Sequence, residues 1–133
     1  MNLIDQAIQF TAIAHKNSTR KSTNIPYIPH PFAVGMFLQK ANCKEEVVAA
    51  GILHDVVEDT PVTYEEFAEQ FGAKIAKLVA AASKKDKNLP WEARKRHTIE
   101  QLKTASLEEI QITAADKLHN IQSIQVDLLQ IGE

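Results

Sequence analysis

The sequence is poor in cysteine and has no excess of either charge. A single cysteine, Cys43, excludes an internal disulfide framework and indicates a reducing compartment, where we expect it to be a small, half-buried apolar side chain. The formal net charge of −2 argues against a general nucleic-acid binder, which would be basic overall. No basic-then-apolar leader opens the chain, because Asp5 interrupts the first turn, and three prolines break the uncharged stretch 22–39. We therefore expect a cytoplasmic protein without nucleic-acid or membrane partners.

Apolar residues are present in the proportion that a globular core needs, and they follow helical spacing. They make up 44% of the 133 residues, a length that fits one domain with a single core. No segment alternates convincingly as a β-strand would. The prediction is an all-α fold, a compact single-domain helical bundle that spans residues 1–133.

Helix boundaries are predicted from caps and prolines. The first helix is capped by Asn2 and ends near His15, and the second has Pro31 in its first turn and Met36 on its buried face. A capping box of Asn42 and Glu45 is predicted to open a third helix, which continues to Thr60. Later helices are predicted over 63–71, 73–82, 90–102 and 106–124, with capping boxes at Thr63 and Ser106 and a stop at Gly72.

The stretch 51–60 places a histidine and three carboxylates in an otherwise apolar helix. On a continuous helix, Glu58 lies one turn beyond His54 and Asp59 one turn beyond Asp55. Uncompensated buried charges cost several kcal/mol each, so a divalent cation is the economical partner. The alternative is a capped helix end before Pro61, although acidic residues in a last turn oppose the helix dipole.

Two other residues of ligand type stand in constrained or costly settings. His30 lies between Pro29 and Pro31, where the prolines would aim its imidazole just ahead of a helix. Asp116 lies inside the apolar run 112–118, where an unpaired carboxylate is expensive. The alternatives are a turn histidine and a local salt bridge. The chain also has basic clusters at 84–87 and 94–96, which are interpreted as solvated faces.

Four motifs in order resemble those of a known family. His30, His54-Asp55 and Asp116 reproduce the pattern of the HD-domain metal-dependent phosphohydrolases. More narrowly, the chain resembles the hydrolase domain of the RelA/SpoT alarmone proteins and their small stand-alone relatives. That resemblance is carried by Arg20-Lys21 and by the segments PYIPHP at 26–31, LHDVVEDT at 53–60 and ADKLHN at 115–120. It covers essentially the whole chain.

The resemblance implies a metal-dependent guanosine-3′,5′-bis(diphosphate) 3′-pyrophosphohydrolase, which converts (p)ppGpp to GDP or GTP and pyrophosphate with one Mn²⁺. The site residues carried over by the resemblance are the metal ligands His30, His54, Asp55 and Asp116, the catalytic pair Glu58 and Asp59, and the substrate contacts Arg20, Lys21, Asn120 and Ser123. We interpret His119 as structural and pointing elsewhere on its helix.

Two alternatives stay open. The chain could be another HD phosphohydrolase, acting on a different nucleotide or phosphoester, or a non-catalytic nucleotide-binding module. The chain also stops at Glu133, soon after the last motif, whereas stand-alone relatives usually carry further helices. We therefore expect either a fragment or a homo-oligomer in which a partner chain completes the pocket wall.

Overall fold

The computed structural model describes residues 2–17, 19, 26–56, 62–82 and 90–131, without the side chains of 124 and 126–131. Its helices are α1 (Leu3–Ala14), α2 (Pro29–Lys40), α3 (Glu45–Leu53), α4 (Tyr64–Phe71), α5 (Ala73–Ala82), α6 (Trp91–Thr104) and α7 (Leu107–Ile131). Apart from an antiparallel bridge between Thr19 and Pro26, the regular structure of these residues is helical. The all-α prediction is confirmed. None of the described helices has the length and hydropathy needed to cross a membrane.

Helix α3 forms the centre of the core. All residues from Val47 to Leu53 are buried, as expected for a helix that is apolar on every side. Helices α1, α2, α5 and α7 pack around it. The residues that directly follow α3, His54 and Asp55, therefore emerge at the middle of the bundle.

Two glycines allow α2 and α3 to approach closely. A Cβ atom on Gly35 would lie 2.5 Å from Cγ1 of Ile52, and one on Gly51 would lie 2.3 Å from Cδ1 of Leu38. Both distances are far shorter than ordinary carbon contacts. A larger residue at either position would force these side chains, or the two helices themselves, to shift.

Three predicted helix caps are confirmed by a hydrogen bond from the backbone to the side chain of the capping residue. The side-chain oxygens of Asn2, Thr63 and Ser106 accept hydrogen bonds from the backbone N–H three residues later, at 2.8, 3.2 and 3.2 Å. Gly72 follows α4 with φ of 90°, so it terminates that helix as predicted. Helix α5 buries the predicted residues Ile75, Ala76, Leu78 and Val79.

The predicted box of Asn42 and Glu45 is wrong. Asn42 has φ of 59° and ends α2 instead of opening α3, whose N-cap is Lys44. The N–H of Asn42 donates to the carbonyl of Gln39 at 3.0 Å, and the N–H of Cys43 donates to Leu38 at 3.1 Å. This pair of bonds is a Schellman motif, in which asparagine can occupy the left-handed position.

Three other helix boundaries and one buried position differ from the prediction. Helix α7 ends at Ile131 and not near residue 124. Helix α2 begins at Pro29, so His30 lies within its first turn and not ahead of it. Helix α3 ends at Leu53, so no unbroken helix runs from 51 to 60; residues 57–61 lie outside the described part. Met36 is 56% exposed, whereas the sequence predicted it to be buried. Cys43 is half-buried, as predicted.

Candidate metal centre and cleft

The four predicted metal ligands come together although they are far apart in sequence. His30 comes from the first turn of α2, His54 and Asp55 follow α3, and Asp116 lies midway along α7. One nitrogen or oxygen atom from each of the four lies within 4.8 Å of all the others. Both histidines are buried, and both carboxylates are partly buried.

Asp116 links the two imidazoles. Its Oδ1 lies 2.8 Å from Nε2 of His30 and 3.0 Å from Nε2 of His54. The Oδ2 of Asp55 lies 3.0 Å from Nε2 of His54 and 3.8 Å from Nε2 of His30. Both imidazoles therefore present Nε2 to the same pair of carboxylates.

The orientation of His54 is set by the backbone of α3. Its Nδ1 lies 2.6 Å from the carbonyl oxygen of Gly51, which can only accept a hydrogen bond. Nδ1 must therefore carry a proton. When His54 is neutral, its lone pair is on Nε2 and faces the carboxylates.

The charges in the cluster shift the pKa values of its members. Burial on its own lowers the pKa of His54, but the negative charge of Asp55 and the hydrogen bonds with Asp116 and Asp55 outweigh it and raise the pKa to about 10. Burial on its own raises the pKa of both carboxyls. The positive charge of His54 nevertheless brings the pKa of Asp55 below its usual range, and hydrogen bonds with His30 and His54 do the same for Asp116. The cluster thus favours positive charge at its centre.

Tyr27 contacts the cluster and was not identified from the sequence as a functional residue. Its hydroxyl donates a hydrogen bond to Oδ2 of Asp55. The Tyr27 ring lies 4.9 Å from the His15 ring and 5.7 Å from the His30 ring, measured between centroids. Tyr27 belongs to the PYIPHP segment, but neither its spacing nor its polarity distinguishes it from a packed aromatic residue.

The prediction that His119 points away from the site is wrong. Its Nδ1 lies 2.7 Å from Nδ1 of His30, and the two ring centroids are 4.9 Å apart. The ring also neighbours Phe37 of α2, at 6.2 Å between centroids. His119 therefore contacts a predicted metal ligand directly.

The donor set fits a divalent cation. Two imidazole nitrogens and two carboxylate oxygens form a mixed set that accommodates borderline and hard ions, and its net charge is negative when both histidines are neutral. Both histidines can present Nε2 to the same point, because each has a partner for its Nδ1.

A cleft of about 600 Å³ adjoins the cluster, and His54 and Asp116 are part of its lining. Helices α6 and α7 supply most of the remaining wall. The volume lies within the range of small-molecule sites. The sequence predicts a solvated face for 94–96; Lys95 and Arg96 are indeed exposed, but Arg94 and Lys95 also line the cleft.

The structure describes only some of the other predicted site residues. Asn120 lines the cleft beside Asp116. Ser123, one turn further along α7, is half-buried and is not among the described lining residues. The remaining predictions lie outside the described residues: Arg20, Lys21, Glu58, Asp59 and the basic cluster 84–87.

Comparison with known proteins places the chain in a family. The family described as "HD domain" matches residues 7–130. The chain is 37% identical to the guanosine-3′,5′-bis(diphosphate) 3′-pyrophosphohydrolase of Haemophilus influenzae over 84% of its own length and 17% of the relative's. It is 35% identical to the guanosine-3′,5′-bis(diphosphate) 3′-pyrophosphohydrolase MESH1 of Danio rerio, over 90% of this chain and 67% of the relative.

A solved structure agrees with this assignment. The structure of a metazoan ortholog of SpoT that hydrolyses ppGpp matches with a TM-score of 0.84 and 34% identity, over 95% of this chain and 72% of that one. The chain belongs to the HD-domain family. Its similarity within that family is to proteins named as (p)ppGpp 3′-pyrophosphohydrolases. The chain spans about a sixth of the length of the Haemophilus influenzae relative.

Proposed function

We propose that this chain is a metal-dependent guanosine-3′,5′-bis(diphosphate) 3′-pyrophosphohydrolase. In the reaction, water adds across the bond between the ribose 3′ oxygen and its phosphorus, pyrophosphate leaves, and a 3′ hydroxyl forms. The observation that carries the proposal is the cluster of four ligand-type side chains beside a cleft large enough for a nucleotide. The names of the relatives narrow the substrate to (p)ppGpp.

We propose Mn²⁺ as the cation, held by His30, His54, Asp55 and Asp116. Two nitrogen and two oxygen donors suit this ion, and they are less typical of a closed tetrahedral zinc site. A bound divalent cation supplies Lewis acidity at the phosphoryl group and lowers the pKa of a water toward about 7.

We assign proton transfer to Glu58 and Asp59. They follow His54 and Asp55 by four residues in the sequence, and the resemblance assigns the family's catalytic pair to these two positions. One would take a proton from the attacking water, and the other would give a proton to the departing ribose oxygen.

Substrate binding is proposed to use both walls of the cleft. Arg94 and Lys95 on α6 face the space beside Asp116, where cations would meet the phosphates of a polyanion. Asn120 stands one turn from Asp116 on α7 and offers an amide for hydrogen bonding. Arg20 and Lys21 complete the set through the resemblance, with Arg20 stacking on the purine and Lys21 meeting phosphate. Ser123 is retained as a further contact from α7.

We also propose that the protein works in the cytoplasm on a small nucleotide and not on nucleic acid. A single cysteine and a net charge of −2 support both parts of this proposal.

The proposed function is tested by product identification. Purified protein is incubated with Mn²⁺ and separately with ppGpp, NADPH and a set of dNTPs, and the products are resolved by ion-exchange chromatography. We expect GDP and pyrophosphate from ppGpp, and no turnover after chelation. Turnover of another compound alone would identify a different HD phosphohydrolase, and binding of ppGpp without products would identify a nucleotide-binding module.

The variant Asp116→Ala tests the metal site on which the proposed activity depends. Because Oδ1 of Asp116 lies within 3.0 Å of both imidazoles, its removal should abolish Mn²⁺ binding in calorimetry and all turnover. Asp5→Ala, which removes an exposed carboxylate on α1, is the control and should bind Mn²⁺ normally. Unchanged metal content in Asp116→Ala would remove this residue from the site.

A further inference from the structure

The imidazole of His119 offers a role that the metal ligands and the cleft do not already account for. His119 lies on α7, three residues after Asp116. Its imidazole contacts Nδ1 of His30, whereas the carboxylate of Asp116 contacts Nε2 of the same ring. Residues three apart share a helix face, so one face of α7 supplies both a predicted ligand and a neighbour to another ligand.

The contact between the two rings fixes where protons can be. Nδ1 of His30 and Nδ1 of His119 are 2.7 Å apart, so one must donate a hydrogen bond and the other must accept it. The Nε2 of His30 faces the two carboxylates, at 2.8 Å from Asp116 and 3.8 Å from Asp55. For that Nε2 to bind a cation through its lone pair, the single proton of neutral His30 must be on Nδ1.

We infer that His119 is a positioning residue that holds His30 in the tautomer able to ligate the metal. In this arrangement Nδ1–H of His30 donates to Nδ1 of His119, which therefore carries its own proton on Nε2. The acceptor is an imidazole nitrogen in place of the carboxylate or carbonyl that usually supports a metal-binding histidine. The inference rests on the proposed metal site but not on the choice of substrate.

Packing keeps the acceptor in place. His119 is half-buried, and its ring is bounded by the His30 ring at 4.9 Å and the Phe37 ring at 6.2 Å. Helices α2 and α7 are in contact, so both histidines are carried by packed helices. Such a pair pre-organises His30 before any cation arrives.

The test compares two substitutions that differ in one acceptor atom. His119→Asn keeps an oxygen near the position of Nδ1, whereas His119→Leu has similar bulk and no acceptor. We expect the leucine variant to bind Mn²⁺ about 10-fold to 100-fold more weakly in calorimetry, and the asparagine variant to recover most of that loss. Gln122→Leu, an exposed position on the same helix, serves as the control and should bind Mn²⁺ normally.

Nitrogen NMR of the unaltered protein provides a second readout that does not depend on the variants folding. With ¹⁵N-labelled histidine and diamagnetic Zn²⁺ as the probe, we expect a protonated Nδ1 on His30 and a protonated Nε2 on His119. A protonated Nδ1 on His119, or a leucine variant that binds Mn²⁺ as tightly as the unaltered chain, would overturn the inference.

The inference and the proposed activity fail in different ways. A chain that binds Mn²⁺ with the expected tautomers but leaves ppGpp intact overturns only the activity. A chain that binds no divalent cation overturns the inference together with the metal site.

Discussion

Adding a single methyl group at Gly51 tests the close approach of α2 and α3. In Gly51→Ala the new Cβ would lie 2.3 Å from Cδ1 of Leu38, more than 1 Å inside ordinary contact. Leu38 is 2% exposed and cannot swing into solvent, so it must shift within the packed core or the helices must separate. Overpacking of this kind costs about 1–3 kcal/mol, and the better helix propensity of alanine returns about 1 kcal/mol. We expect a net loss of up to about 2 kcal/mol in the free energy of unfolding.

A double-mutant cycle measures this clash separately from other effects. Leu38→Ala alone should cost about 2–5 kcal/mol, because it leaves a cavity. In that background the clash with Cδ1 is gone and the new Cβ keeps a tight 3.3 Å contact with Cγ1 of Val34. Adding Gly51→Ala should therefore be clearly less harmful than in the unaltered chain, since helix propensity favours alanine by about 1 kcal/mol. Urea unfolding followed by far-UV circular dichroism gives the four free energies. Additive effects, with Gly51→Ala equally harmful in both backgrounds, would refute the proposed close contact.

Three other predictions concern the site. Because the pKa of His54 is raised to about 10, its proton stabilises the metal-free fold fully below about pH 6.5, and this contribution is lost as the pH rises toward 10. A cation must displace that proton, so Mn²⁺ affinity should rise up to tenfold per pH unit between about pH 7 and 8.5. Calorimetry in buffers of different ionisation enthalpy should show that about one proton is released on binding. An affinity independent of pH would contradict this expectation. Glu58→Gln should keep Mn²⁺ bound while turnover falls roughly a hundredfold, and loss of the ion would reassign Glu58 as a ligand. Arg20→Ala should raise the KM for ppGpp about tenfold at constant metal content, and unaltered kinetics on every nucleotide would make the Arg20-Lys21 segment a solvated turn.

Features that depend on local bonds were predictable from the sequence. The cap bonds at Asn2, Thr63 and Ser106 each join a side chain to a backbone N–H three residues away, so the pattern contains both partners. The clustering of the four predicted ligands was expected because buried charge is costly and because their order resembles a family pattern.

Features decided by competition between local bonds were not predictable in the same way. Asparagine is favoured both before a helix and in the left-handed position after one, and the two backbone bonds of the Schellman motif select the second at Asn42. Met36 lies on α2, a helix with apolar residues on several sides, so the buried face follows from which neighbours pack against it. Helix α3 ends where His54 hydrogen-bonds back to Gly51, which no periodicity indicates.

The error at His119 was avoidable. Asp116 and His119 are three residues apart, and residues at that spacing are neighbours on a helix surface. A ligand face that includes Asp116 and Asn120 therefore also includes His119. The sequence did not show which residue His119 would contact, since only the fold brings Nδ1 of His30 to within 2.7 Å of its ring.

The two imidazoles of the cluster are oriented by different kinds of partner, and this difference predicts different sensitivity to mutation. His54 donates to the carbonyl of Gly51, a backbone atom that remains whatever residue occupies position 51, provided that α3 keeps its place against α2. His30 depends on a side chain, His119, which a single substitution can remove. Substitutions at position 51 should therefore affect metal binding only when they also displace α3 and lower stability. A change at His119 should weaken metal binding in a fold of near-normal stability, because the half-buried ring leaves space that a side chain of similar bulk can fill.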